Sequence, residues 1–102
     1  MSGMAQSHYR LGMNYYHGKG VEKNFIEALK WFRLAAQENY PRALFMIGRI
    51  YALGNAGESD PVEAANWYRK AADLGYARAQ NLLGQAYLKG QGVPVDHDNA
   101  LE

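Results

Sequence analysis

Apolar and small residues recur at helical spacing along most of this chain. In the stretch from Ala43 to Tyr51, the residues Ala43, Met46, Ile47, Ile50 and Tyr51 fall on one face of a helix. Ala64, Trp67, Tyr68 and Ala71 form a second stripe of the same period. Between the two stripes stands Gly54, where a left-handed residue usually ends a helix. Asp60-Pro61-Val62-Glu63 then supplies an N-cap acceptor, a proline at the first helical position and a glutamate placed to complete a capping box. Asn24 with Glu27 repeats that device earlier in the chain. Asn39 and Gly75 follow the second stripes, and both residue types tolerate positive φ. No stretch alternates with the period of a strand, so the pattern predicts an all-α protein.

The helices come in a repeat. At a period of about 36 residues, Gly12, Gly48 and Gly84 coincide, as do Tyr15, Tyr51 and Tyr87. Gly18, Gly54 and Gly90 follow in step, then Asn24, Asp60 and Asp96, then Ala28, Ala64 and Ala100. Trp31 pairs with Trp67, Phe32 with Tyr68, Ala35-Ala36 with Ala71-Ala72, and Tyr40 with Tyr76. The units are residues 7–42, 43–78 and an incomplete 79–102, after an N-terminal extension over 1–6. Glycine inside a helix costs about 1 kcal/mol relative to alanine. Its recurrence at 12, 48 and 84 therefore predicts a close helix approach, with the Ala-Ala pairs opposite and the Trp and Tyr rings filling the remaining space. Arg10 stands where the other units have Met46 and Leu82, which predicts an exposed edge on the first helix.

Leu83-Gly84-x-x-Tyr87-x-x-Gly90-x-Gly92-Val93-x-x-Asp96, together with Glu63-Ala64-x-x-Trp67-Tyr68-Arg69-Lys70-Ala71-Ala72-x-x-Gly75, resembles the Sel-one-like repeat. That family is a relative of the tetratricopeptide repeat. The resemblance runs over nearly all of the chain after Ser7; the second loop departs from it, reading Gly54-Asn55-Ala56-Gly57 in place of Gly-x-Gly-Val. It implies a right-handed α/α superhelix, a solenoid of helix-turn-helix units, here about two and a half of them.

Composition narrows the function classes. At 102 residues the chain is one domain at most. A net charge of +1 gives no reason to expect nucleic acid or an anionic membrane as partner. There is no cysteine, so disulfides, thiolate catalysis and cysteine zinc sites are excluded. The first residues lack the pattern of a secretory signal, and nothing approaches the ~20 apolar residues of a membrane span.

Apparent chemical motifs dissolve on inspection. Gly18-Lys19-Gly20 and Gly90-Gln91-Gly92 follow no strand and recur with the repeat, so they read as architecture and not as phosphate cradles. Asp96-His97-Asp98 lacks a second histidine one turn away, and Asp96 already serves as a cap. His8 and His17 are too far apart to share a helix face, and Ser2, Ser7 and Ser59 have no His-acid pair arranged for catalysis. No cofactor, metal or catalytic residue is expected, and the chain does not read as an enzyme. Of the many aromatic residues, most sit on repeat positions and read as core. Tyr9 and Tyr16 are unmatched in the third unit and are expected at the surface.

The resemblance implies a protein–protein adaptor whose first helices line a concave face. By position, that face takes Tyr9, Met13, Tyr16 and His17 from the first unit. It takes Arg42, Phe45, Arg49 and Ala52 from the second, and Arg78, Asn81, Gln85 and Lys89 from the third. Arg42, Arg49 and Arg78 suit carboxylates, and Asn81 and Gln85 suit a ligand backbone, so an extended acidic segment or a polypeptide C-terminus is the expected occupant. A second reading stays open. The third unit stops at Asn99-Ala100-Leu101-Glu102, which would leave Leu82, Leu83, Ala86 and Tyr87 uncovered on one side. The protein would then be a structural or self-associating piece of a longer array, pairing as a homodimer through that end.

Overall fold

The computed structural model describes the backbone of residues 3–89 and the side chains of residues 3–85. Five helices follow one another: α1 (Gly3–His17), α2 (Phe25–Ala36), α3 (Pro41–Leu53), α4 (Pro61–Asp73) and α5 (Ala77–Lys89). Each packs on the next in sequence order, the stacking of a helical solenoid. No strand occurs among the described residues. The third loop, the Asp96 cap, the Asp96-His97-Asp98 run and the terminal Asn99–Glu102 segment lie outside them.

The loops inside the first two units are closed by the same hydrogen bonds. The amide of Lys19 donates to the carbonyl of Asn14 at 2.8 Å, and that of Asn55 to Ile50 at 3.1 Å. The amide of Asn24 donates to Tyr15 at 2.9 Å, and that of Asp60 to Tyr51 at 2.8 Å. Gly18 (φ 70°) and Gly54 (φ 67°) both turn the backbone in the left-handed region, so the irregular second loop keeps the closure of the first. Asn39 and Gly75 also adopt positive φ, 56° and 87°.

The N-caps form, but the capping boxes do not close. Asn24 and Asp60 each accept from the amide three residues on, both at 3.0 Å. The reciprocal bond is absent because the cap amides are already given to Tyr15 and Tyr51. Glu27 instead pairs with Lys30 at 3.7 Å, and Glu63 accepts from the Trp67 indole at 3.2 Å.

Helix α3 is the centre of the fold. Ala43 through Gly48 and Ile50 are all buried, because α2 covers one side and α4 the other. A Cβ on Gly48 would stand 2.7 Å from the Tyr68 ring, and one on Gly12 would stand 2.5 Å from the Phe32 ring. The glycines therefore make room for an aromatic ring from the second helix of the same unit, and not for an Ala-Ala pair as the sequence suggested. Phe32 and Tyr68 are the core rings, while Trp31 and Trp67 are only half-buried. In α1, Ser7, Arg10 and Asn14 hold the register that Ala43, Met46 and Ile50 hold in α3. Arg10 is exposed and Asn14 half-buried, so polarity extends beyond the Arg10 edge along that side of α1.

Candidate protein-interaction surface

The first helices of the units share one sign of charge. Helices α1, α3 and α5 carry Arg10, Arg42, Arg49, Arg78 and Lys89 and no aspartate or glutamate. The carboxylates of residues 3–89 lie on α2, on α4 and in the turns. The small net charge thus conceals a segregation by helix.

An aromatic trio is built twice. Tyr9 lies 5.8 Å from Phe32 and 5.3 Å from Tyr40, centroid to centroid. One unit on, Phe45 lies 5.5 Å from Tyr68 and 5.3 Å from Tyr76. The Arg78 guanidinium stacks over Phe45 at 4.9 Å, which fixes a mobile side chain on a rigid ring. Phe45 is consequently 1% exposed. This corrects its expected place at the surface: it is a platform under Arg78 and cannot itself be touched by a partner.

Electrostatics tie residues of different helices to common spaces. Burial pushes the Tyr9 hydroxyl above its ordinary pKa; Tyr76 raises it further, Arg42 draws it back, and Tyr40 and Arg78 act more weakly in those respective senses. Burial likewise raises Tyr68, against the pull of Arg49 and with a further rise from Tyr16. Tyr9 and Tyr68 are therefore neutral hydroxyls at neutral pH, able to donate to an anion.

The remaining expected residues divide by exposure. His17, Arg42, Arg78, Asn81 and Gln85 are exposed, and Arg49 is half-buried. Tyr9 and Tyr16 are half-buried, not fully at the surface; Tyr16 meets Phe25 edge-on at 5.3 Å and His17 at 5.0 Å. Met13 packs against the core. Lys89 is on α5, but its side chain lies outside the described set. Gln85 borders a cavity of about 150 Å³ with Ala52, Leu82 and Tyr68. Tyr40 and Tyr76 were missed as members of this surface. Their signal was present, since each precedes by two residues an arginine, Arg42 or Arg78.

The Sel1 repeat matches at residues 5–40, 41–76 and 77–102. The chain belongs to the Sel1 repeat family. A crystal structure of a protective antigen present in uropathogenic Escherichia coli strains, displaying an SLR fold, superposes with a TM-score of 0.92 at 35% identity. That match covers 96% of this chain and 21% of the antigen, so the chain spans about a fifth of its length. A Sel1 repeat protein from Oxalobacter formigenes superposes with a TM-score of 0.86 at 38% identity, covering 96% of this chain and 74% of that one. No curated protein matches the chain. Sel1 repeats commonly act as scaffolds that bind other proteins, and the all-α solenoid described here is that fold.

Proposed function

We propose that this Sel1 repeat protein binds an acidic, extended segment of a partner protein along the face formed by α1, α3 and α5. The observation that carries this reading is the complete absence of carboxylates from those three helices, against their arginines and lysine. An anionic segment approaching this side meets attraction from the helices nearest it. Arg78 is held by Phe45 at 4.9 Å, so less freedom is lost when it engages a carboxylate. Asn81 and Gln85 lie on α5 and can bond to the ligand backbone.

The test is capture of a partner from the source organism's lysate by the wild type and by the triple variant Arg42→Ala, Arg49→Ala, Arg78→Ala. The expected result is a partner retained by the first and lost by the second, with affinity reduced tenfold or more and a steep fall with added salt. Equal retention by both proteins would refute the arginine reading.

A further inference from the structure

The groove between α2 and α4, with Leu44 of α3 in its lining, holds an open cavity of about 550 Å³ that none of Arg42, Arg49 and Arg78 borders. Its apolar part is Ala36, the face of Trp67 and Leu44, which is 3% exposed. The Trp67 indole is held twice: Nε1 donates to Glu63 Oε1 at 3.2 Å, and Lys70 Nζ lies 4.5 Å from the ring centroid. Arg33 enters from α2 and donates to the Tyr51 hydroxyl, which anchors its guanidinium. Gln37 and Asn39 complete the lining, which contains no carboxylate.

The repeat does not account for this lining. One unit on, Arg69 and Ala72 preserve Arg33 and Ala36, but Asp73 replaces Gln37, Gly75 replaces Asn39 and Gln80 replaces Leu44. There, Gln80 donates to the Ala72 carbonyl at 3.1 Å, a polar bond at the register that Leu44 leaves apolar. Positions that recur serve the stacking of units. Asn39 shares its positive φ with Gly75, but Gln37 and Leu44 do not recur, and they meet in one cavity.

We propose that this groove binds a polypeptide C-terminus whose last residue is apolar or aromatic. The terminal carboxylate sits between the fixed cations Arg33 and Lys70. The last side chain lies against the half-buried Trp67 ring, where apolar area leaves water. The amides of Gln37 and Asn39 pair with the backbone of the preceding residue, which a simple fatty or aromatic acid would leave unmatched. The volume falls in the range of about 300–1,000 Å³ typical of ligand sites.

Trp31→Phe leaves Trp67 as the sole indole, and the probe is N-acetyl-Leu-Phe with a free carboxylate. A saturable change in Trp67 emission is expected. Binding should weaken at least tenfold for the C-terminal amide, for Lys70→Gln and for Gln37→Asp, which copies the neighbouring groove at that position. Octanoate should bind more weakly than the dipeptide acid. Equal binding of acid and amide, or no saturable change, would overturn the proposal. Octanoate binding as tightly as the dipeptide would overturn the assignment to a polypeptide end. Methyl shifts of Leu44 in the unsubstituted protein read the same event should Trp31→Phe perturb folding.

Discussion

Phe45→Ala is expected to lower the unfolding free energy by about 3–5 kcal/mol, the range for a fully buried phenylalanine. Phe45 is 1% exposed and flanked by Tyr68 and Tyr76 at 5.5 and 5.3 Å, so its loss opens a cavity in the centre of α3 packing. A domain of this size holds about 5–15 kcal/mol in total, so the variant approaches the edge of folding. Denaturant titration measures the effect as a shifted midpoint with an unchanged slope. Phe45→Leu keeps most of the burial and loses the ring under Arg78, worth about 0.5–1 kcal/mol as a cation–π contact at an exposed site. It should therefore fold while binding an acidic partner less tightly. A cost under about 1 kcal/mol for Phe45→Ala would place the ring outside the core.

Gly54→Ala should cost nearly as much, for a different reason. The left-handed backbone at φ 67° carries about 1–2 kcal/mol for any residue with a Cβ. The new Cβ would also stand 2.9 Å from the Ser59 amide nitrogen and 3.0 Å from the Gly57 carbonyl oxygen. Both are backbone atoms of the loop that Asp60 closes onto Tyr51, and overpacking of this kind adds about 1–3 kcal/mol. Gly20→Ala is the comparison: its φ is 77°, but no atom lies within 4 Å of the added Cβ. Only the backbone part, about 1–2 kcal/mol, is expected there. Equal losses at the two sites in denaturant titrations would show that crowding against Ser59 and Gly57 does not matter.

These cases show where the sequence was readable. Helix ends were legible because Gly54, Asn24 and Asp60 act through their own backbone or their own side chain, within a few residues. The repeat register was legible because equal packing demands equal residues at equal spacing. Which atom fills the space above Gly48 was not, since it depends on how α3 and α4 cross; the answer was the Tyr68 ring. Phe45 misled for a similar reason. Its register mates Tyr9 and Asn81 are both open to solvent, half-buried and exposed respectively, and it is α5, two helices on, that lays Arg78 over it. The α2–α4 groove had no signal at all, because Arg33 and Trp67 lie in different units and meet only through the stacking of helices.

On the proposed function, α1, α3 and α5 form the anion-binding side of the solenoid. The most direct measurement is amide chemical-shift mapping while an extended glutamate-rich peptide is titrated into the intact protein at low salt. Saturable shifts are expected on α1, α3 and α5, centred near Arg42, Arg49 and Arg78 and abolished by the triple alanine variant. Shifts confined to α2 and α4, or shifts that survive the loss of all three arginines, would contradict it.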